Sequence, residues 1–173
     1  MSLFAPIVSL ESIDLSETNR LLVEWGHRMG PVNRPMGAIW CHALLHNGEP
    51  VAVVVAAALI TERVAGFTRD EAIELARLCA ARSDLCRPAL RLWREFVLPA
   101  LSAAHGSRWA VSYQDEALHS GNVYRFDGWV DLEQSRSGTD QRSGRKGRSK
   151  RIWAWPRDAA AVHAERRPEK LAA

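Results

Sequence analysis

The sequence predicts an α/β fold with a central sheet covered by helices, and three observations carry this. Val51–Ile60 is apolar at every position, which marks a strand buried on both faces. Asn47-Gly48, just before it, is a strong hairpin signal. Helical and strand patterns then alternate along the rest of a 173-residue chain, a length at which one domain is the default. The reading is a single domain over residues 1–157, including a basic insertion at 135–150, followed by a tail at 158–173.

Ser16 is placed to cap a helix reaching about Met29, with Leu21, Leu22, Trp25 and Met29 at three- and four-residue steps. Gly30–Gly37 holds two prolines and two glycines and is a loop. Ile39–Leu45 and Val51–Ile60 are strands joined by the Asn47-Gly48 turn. Glu71–Ala80 fits a helix by propensity and a strand by context, with Arg77 and Leu78 beside a bulge. Pro88 suits the first turn of a long helix carrying Leu90, Trp93, Val97 and Leu101 on one face, and Pro99 should kink or nearly end it. Trp109–Tyr113 is a strand. Asp115 and Glu116 begin a short helix carrying His119 and Tyr124, which Gly128 breaks. Trp129–Leu132 and Ile152–Trp155 are further strands. Ala159–Ala173 is a weak helix or a frayed end.

Charge is uneven. The net charge is +3, but residues 133–157 alone carry +6, leaving −3 on the remainder. Ser135–Lys150 has no apolar residue and is rich in Gly, Ser and basic side chains, so it is a surface loop. Such a loop, with both ends held by strands, suits a phosphate backbone, and Arg142, Arg145, Lys146, Arg148, Lys150 and Arg151 are the candidate contacts to double-stranded DNA. A solvated linker accounts for the same composition.

Cys41, Cys79 and Cys86 do not make a disulfide framework. Cys79, Cys86 and His42 as metal ligands are less economical than buried small residues, so no metal is expected. The longest apolar run is ten residues, the start does not resemble a signal peptide, and the expectation is a cytoplasmic protein without a membrane partner. No P-loop or GxGxxG is present.

Two segments carry a resemblance to a known family. ELARLCAARSDLCR at 74–87 leads into the Trp93 helix, and AVSYQDEALHSGNVYRFDGWV at 110–130 contains Ser112, Tyr113, Asp115, His119, Gly121, Tyr124, Gly128 and Trp129 in order. With the basic stretch ending in IWAWP, this resembles the GNAT superfamily of acyltransferases, in the branch containing the phage Mom DNA-modification proteins. The resemblance spans roughly residues 36–157. It implies a mixed, mostly antiparallel central sheet with helices on both faces, and acyl-CoA or another acyl donor held by Arg82, Arg87, Leu78 and Cys79. It also implies acylation of a base amine in phage or mobile-element DNA, protecting it from restriction. Most GNAT enzymes cradle pyrophosphate on a glycine-rich turn; residues 82–89 contain no glycine and include Asp84, so here an anion would rest on a helix N-terminus with Arg82 and Arg87.

Acyl transfer to an amine needs a base for the amine, a hold on the oxyanion and a proton for the leaving group. His119, oriented by Asp115 four residues earlier, is the candidate proton shuttle. Tyr124 is the candidate acid, Ser112 a polar strand residue beside it, and Tyr113 a platform for a flipped base. The structural alternatives are a helix cap for Asp115, an exposed helix position for His119 and core packing for Tyr124. Glu74 is a spare base, and Asn33, Arg34 and His42 are candidates for the acceptor side. Cys86, near a helix start, is a candidate for a lowered thiol pKa. Two other functions fit: an inactive GNAT-like DNA-binding accessory protein, and an N-acyltransferase acting on a protein or small-molecule amine.

Overall fold

The computed structural model describes residues 7–34, 37–135 and 149–166. In chain order the first elements are β1 (Val8–Ser12), α1 (Leu15–Glu24), β2 (Ile39–His46), β3 (Glu49–Ala58), β4 (Arg63–Val64), β5 (Phe67–Thr68) and β6 (Ala72–Ala80). A continuous helical stretch follows: α2 (Cys86–Leu92), a π-helical turn (Trp93–Val97) and α3 (Leu98–His105). The remainder is β7 (Trp109–Asp115), α4 (Asn122–Arg125), β8 (Val130–Ser135), β9 (Lys150–Trp155) and α5 (Ala159–Arg166). The long strands make a mixed, mostly antiparallel central sheet flanked by helices on both sides, as expected. The chain divides into two compact units, Met1–Ala58 with Leu75–His105 and Leu59–Glu74 with Gly106–Ala173.

In the first unit α1 starts at Asp14, whose carboxylate accepts the Glu17 N–H at 2.7 Å. The sequence places this cap at Ser16; Asp14 takes it because its backbone is extended and its carboxylate reaches the third helical N–H. The helix ends at Glu24, short of Met29, because Gly26 turns to φ +65°. Leu21 and Leu22 pack with Cys41, Ala43, Val53, Val55 and Cys79 in one buried cluster. The Asn19 side chain holds both Val32 backbone groups, at 2.7 and 3.2 Å, and so pins the loop after the helix. β2 and β3 pair antiparallel across Asn47-Gly48, both at positive φ, as a two-residue hairpin turn requires. β1, which the sequence reading does not include, pairs with β2 from Val8↔His46 to Ser12↔His42.

Residues 72–80 form a strand, which settles the helix-or-strand ambiguity. Ala72–Leu75 are all buried, so no polar face reveals the period of two. Pro99 does not end its helix, which continues to His105. The wide turn Trp93–Val97 precedes it, so the proline's missing N–H falls where the regular ladder is already interrupted.

The second unit pairs β7 and β8 with β9 between them, both antiparallel, with a bulge in β8 between Asp131 and Glu133. Trp109 and Val111 point to one face and join Phe67, Ile152, Ala154 and Ala159 in a buried cluster. α5 is clamped there. Arg166 makes a two-pronged ion pair with Glu71 at 2.8 and 2.9 Å, its guanidinium lies 5.9 Å from the Phe67 ring centre, and Arg108 pairs with Asp158 at 2.5 Å. Residues 159–166 of the stretch that the sequence leaves between weak helix and frayed end are therefore an anchored helix. The opposite face of β7 carries Ser112 and Gln114, the alternate positions.

Candidate active site

The second unit brings two sequence-predicted residues together inside an aromatic frame. Ser112 Oγ and Tyr124 Oη lie 2.8 Å apart and buried. Ser112 is in β7 opposite Trp153 of β9, and Tyr124 sits on α4. The Tyr124 ring stacks on Trp153, with centroids 5.6 Å apart and an 18° interplanar angle, and meets Trp129 edge-on at 5.5 Å. The Trp129 indole N–H donates to Asp127 at 3.2 Å. Two indole rings and one serine hydroxyl thus hold the Tyr124 phenol in a defined pose.

Asp115 and His119 do not share a helix. Asp115 ends β7, its carboxylate accepts the Ala117 N–H at 3.1 Å, and its carbonyl accepts the His119 N–H at 3.0 Å. That single turn stops because Gly121 takes φ +74° and starts α4 afresh, so the expected helix from Asp115 to Tyr124 is two separate pieces. His119 is exposed on the connecting turn. Its carbonyl accepts from Gln114 Nε2 at 2.5 Å, and Gln114 Oε1 accepts the Trp153 indole N–H at 2.7 Å. The sequence reading misses Gln114. The signal for it is its register two residues after Ser112, on the same face. Tyr113 lies on the other face, packed against the Val111 and Ile152 cluster with Lys150 Nζ 5.8 Å from its ring centre. Glu74, on β6, is buried.

Of the basic candidates, Arg151 is tied to two carboxylates. Its Nε donates to Glu116 at 2.8 Å and its Nη1 to Asp131. The Glu116 carboxyl is held below its usual range, first by Arg151. Glu116 also accepts from Gln134 Nε2 at 2.8 Å and Ser149 Oγ at 3.3 Å. Arg142, Arg145, Lys146 and Arg148 lie outside the described residues.

In the first unit the turn between β6 and α2 holds the donor-side candidates. Arg82 pairs with Asp84 at 2.6 Å, both exposed, and the pairing keeps the Asp84 carboxyl below its usual range. A short 3₁₀ turn, Ser83–Leu85, leads into α2, whose start has no side-chain cap. Arg87 is exposed on that helix and Leu78 is half-buried on β6. Cys79 belongs to the buried cluster beneath α1, and burial raises its thiol pKa. Burial also pushes the Cys86 thiol up to about 11, with Cys79 and Asp84 adding to it, which reverses the expectation of a lowered pKa at a helix start. Arg34 donates to the Ala58 carbonyl at 2.9 Å, and Asn33 is exposed. His42, in β2, has its ring pKa lowered by burial.

No protein-family profile matches the sequence, and none of the curated proteins matches it. Solved structures do match. NAA60 from Arabidopsis thaliana, in complex with acetyl-CoA, is 11% identical at a TM-score of 0.58, over 86% of this chain and 97% of that one. The aminoglycoside 6'-N-acetyltransferase from Enterococcus faecium is 10% identical at a TM-score of 0.56, over 84% and 95%. The fold is GNAT-like. An IAA acetyltransferase from Bacillus cereus gives the same result at 14% identity and a TM-score of 0.52, over 85% of this chain and 97% of that one. At these identities the likeness is one of fold, and none of these matches links the chain to the Mom branch.

Proposed function

We propose that the chain is an N-acyltransferase that moves an acyl group from an acyl-CoA-type donor to an amine of a protein or small molecule. The observation that carries this reading is the buried Ser112–Tyr124 hydroxyl pair, held by Trp153 and Trp129 within a GNAT-like fold. The donor's pyrophosphate fits the start of α2 in part. The helix is uncapped there and Arg82 and Arg87 are close in sequence, while Asp84 opposes a second negative charge and already occupies Arg82.

When bound, such a donor supplies a thioester whose acyl carbon an amine attacks and whose sulfur departs as thiolate. Tyr124 holds a proton at Oη for that departing sulfur. Ser112 Oγ, within hydrogen-bond distance, keeps the phenol oriented and returns a hydrogen bond to the phenolate oxygen once the proton has gone. The attacking amine must shed a proton, and we assign its acceptor to His119, exposed on the turn before α4.

The test is release of free CoA thiol from acetyl-CoA in the presence of spermidine, an aminoglycoside, peptides with a free N-terminus, or double-stranded DNA, with mass spectrometry of each acceptor. Acetylation of one amine that Tyr124→Phe slows about 100-fold supports the reading. Turnover unchanged in Tyr124→Phe overturns the role of Tyr124, and no transfer to any acceptor overturns the activity. The DNA arm addresses a second reading, a base amine as acceptor. That reading is favoured by the +6 charge of residues 133–157 and by the resemblance of 110–130 to DNA-modifying relatives. A new nucleoside mass selects it; DNA retained without modification selects the binding-only accessory protein.

A further inference from the structure

We infer that Gln114 is a positioning residue for the Tyr124 hydroxyl, acting through Trp153 and through the backbone of the His119 turn. The inference rests on the proposed role of Tyr124 only for its effect on rate.

Gln114 is 6% exposed, and both ends of its amide are used. Oε1 accepts the Trp153 indole N–H at 2.7 Å and Nε2 donates to the His119 carbonyl at 2.5 Å. The two partners dictate the orientation, since an indole N–H only donates and a carbonyl only accepts, and a flipped amide would lose both bonds. Trp153 is the ring on which Tyr124 stacks. The His119 turn is the segment that leads through Gly121 into α4, which carries Tyr124. Gln114 therefore fixes the phenol from two sides: the surface its ring lies on, and the start of the helix that delivers it. Gly121 closes over this brace. A Cβ there would come 2.5 Å from Gln114 Oε1 and 2.9 Å from Trp153 Cζ2, so the chain passes over the amide with no room for a side chain.

Among natural side chains of this length, only Gln offers a donor and an acceptor at every pH. Glu matches it when protonated, its O–H donating to the His119 carbonyl and its C=O accepting from the indole. Ionised Glu keeps the indole bond and loses the donor. Met fills similar space and makes neither bond.

The chain contains two tyrosines and seven tryptophans, so the site can be read directly. Tyrosine labelled with ¹³C at Cζ gives two signals, assigned with Tyr113→Phe and Tyr124→Phe; the indole N–H signals are assigned with Trp153→Phe. In Gln114→Met, the Tyr124 Cζ signal is expected to move and the Trp153 indole proton to lose its hydrogen-bonded shift, with the Tyr113 signal unchanged. In Gln114→Glu, the Tyr124 signal should titrate from the wild-type position at acid pH towards the methionine position, and the wild type should stay flat over that range. With an amine acceptor in hand, Gln114→Met should lower kcat about tenfold at constant KM for acetyl-CoA. Should Gln114→Met not fold, the titration of Gln114→Glu carries the test alone. A Tyr124 signal unmoved in both variants overturns the positioning role whatever the activity. A moved signal with full turnover keeps the brace and removes Tyr124 from the chemistry.

Discussion

The hydroxyl pair makes a prediction at the scale of single residues. Ser112 is 2% exposed, so Tyr124→Phe leaves its hydroxyl short of a buried partner, and Ser112→Ala does the same to Tyr124. Each should destabilise the fold by about 1–3 kcal/mol. The double variant should cost less than the sum, because the hydrogen bond the two hydroxyls share is lost only once. Urea denaturation of the four proteins checks this, and strict additivity would show that the two hydroxyls are energetically independent. Gly121→Ala is a second case: it combines a positive φ with a 2.5 Å clash and should cost at least about 2 kcal/mol by the same measurement. Cys86 is a third. With its pKa pushed up to about 11 its thiolate is scarce at pH 8, and its alkylation by iodoacetamide should run roughly 100-fold slower than that of an unperturbed thiol, climbing with pH until about 11. Fast alkylation at pH 8 would restore the expectation of a lowered thiol pKa at the helix start.

Elements show where the sequence is legible and where it is not. The β2–β3 hairpin is readable because its turn chemistry is local, two residues with a forced backbone sign. β6 is ambiguous because burial on both faces at Ala72–Leu75 erases the alternation that identifies strands. The site is half readable. Ser112 and Tyr124 stand in the right order, and the fold brings them together. Asp115 and His119 lie outside the expected helix because Asp115 ends β7 and Gly121 stops the single turn that follows, which a four-residue spacing alone does not reveal. Gln114 escapes notice because its partner Trp153 is 39 residues away, and only strand register connects them. α5 is anchored through Glu71, whose carboxyl is lowered to about 2 by Arg166 and by the Thr68 N–H. A carboxyl with a depressed folded pKa stabilises the fold above about pH 4.5, and that contribution fades as pH falls towards 2. Amide exchange in α5 should therefore accelerate across that window before the strands respond. Arg166→Gln should weaken the pH dependence without abolishing it, since the Thr68 N–H and hydroxyl still hold the Glu71 carboxylate, and its cost in stability should be small because both partners are partly exposed.

For the molecule as a whole, charge and fold carry separate messages. The fold is GNAT-like, while the sequence concentrates +6 in residues 133–157 against −3 elsewhere. Replacing residues 136–148 with a Gly-Ser linker should remove any salt-sensitive affinity for DNA and leave acetylation of a small amine intact, as measured by a salt titration of binding beside the thiol-release assay. Unchanged DNA affinity would assign binding to another surface. Loss of both activities would make the basic stretch part of the acceptor site.

Glu116 gives this last variant a firm footing. It grips Gln134 on one side of that stretch and Ser149 and Arg151 on the other, so the β8–β9 hairpin is fastened by side chains at its base. Most hairpins depend on their turn for alignment; here side-chain bonds at the base also hold the pair. Closing a longer or shorter loop costs little, because the entropic term grows only with the logarithm of its length. The stretch is thus a place where the chain can gain, lose or exchange recognition sequence with its catalytic candidates undisturbed.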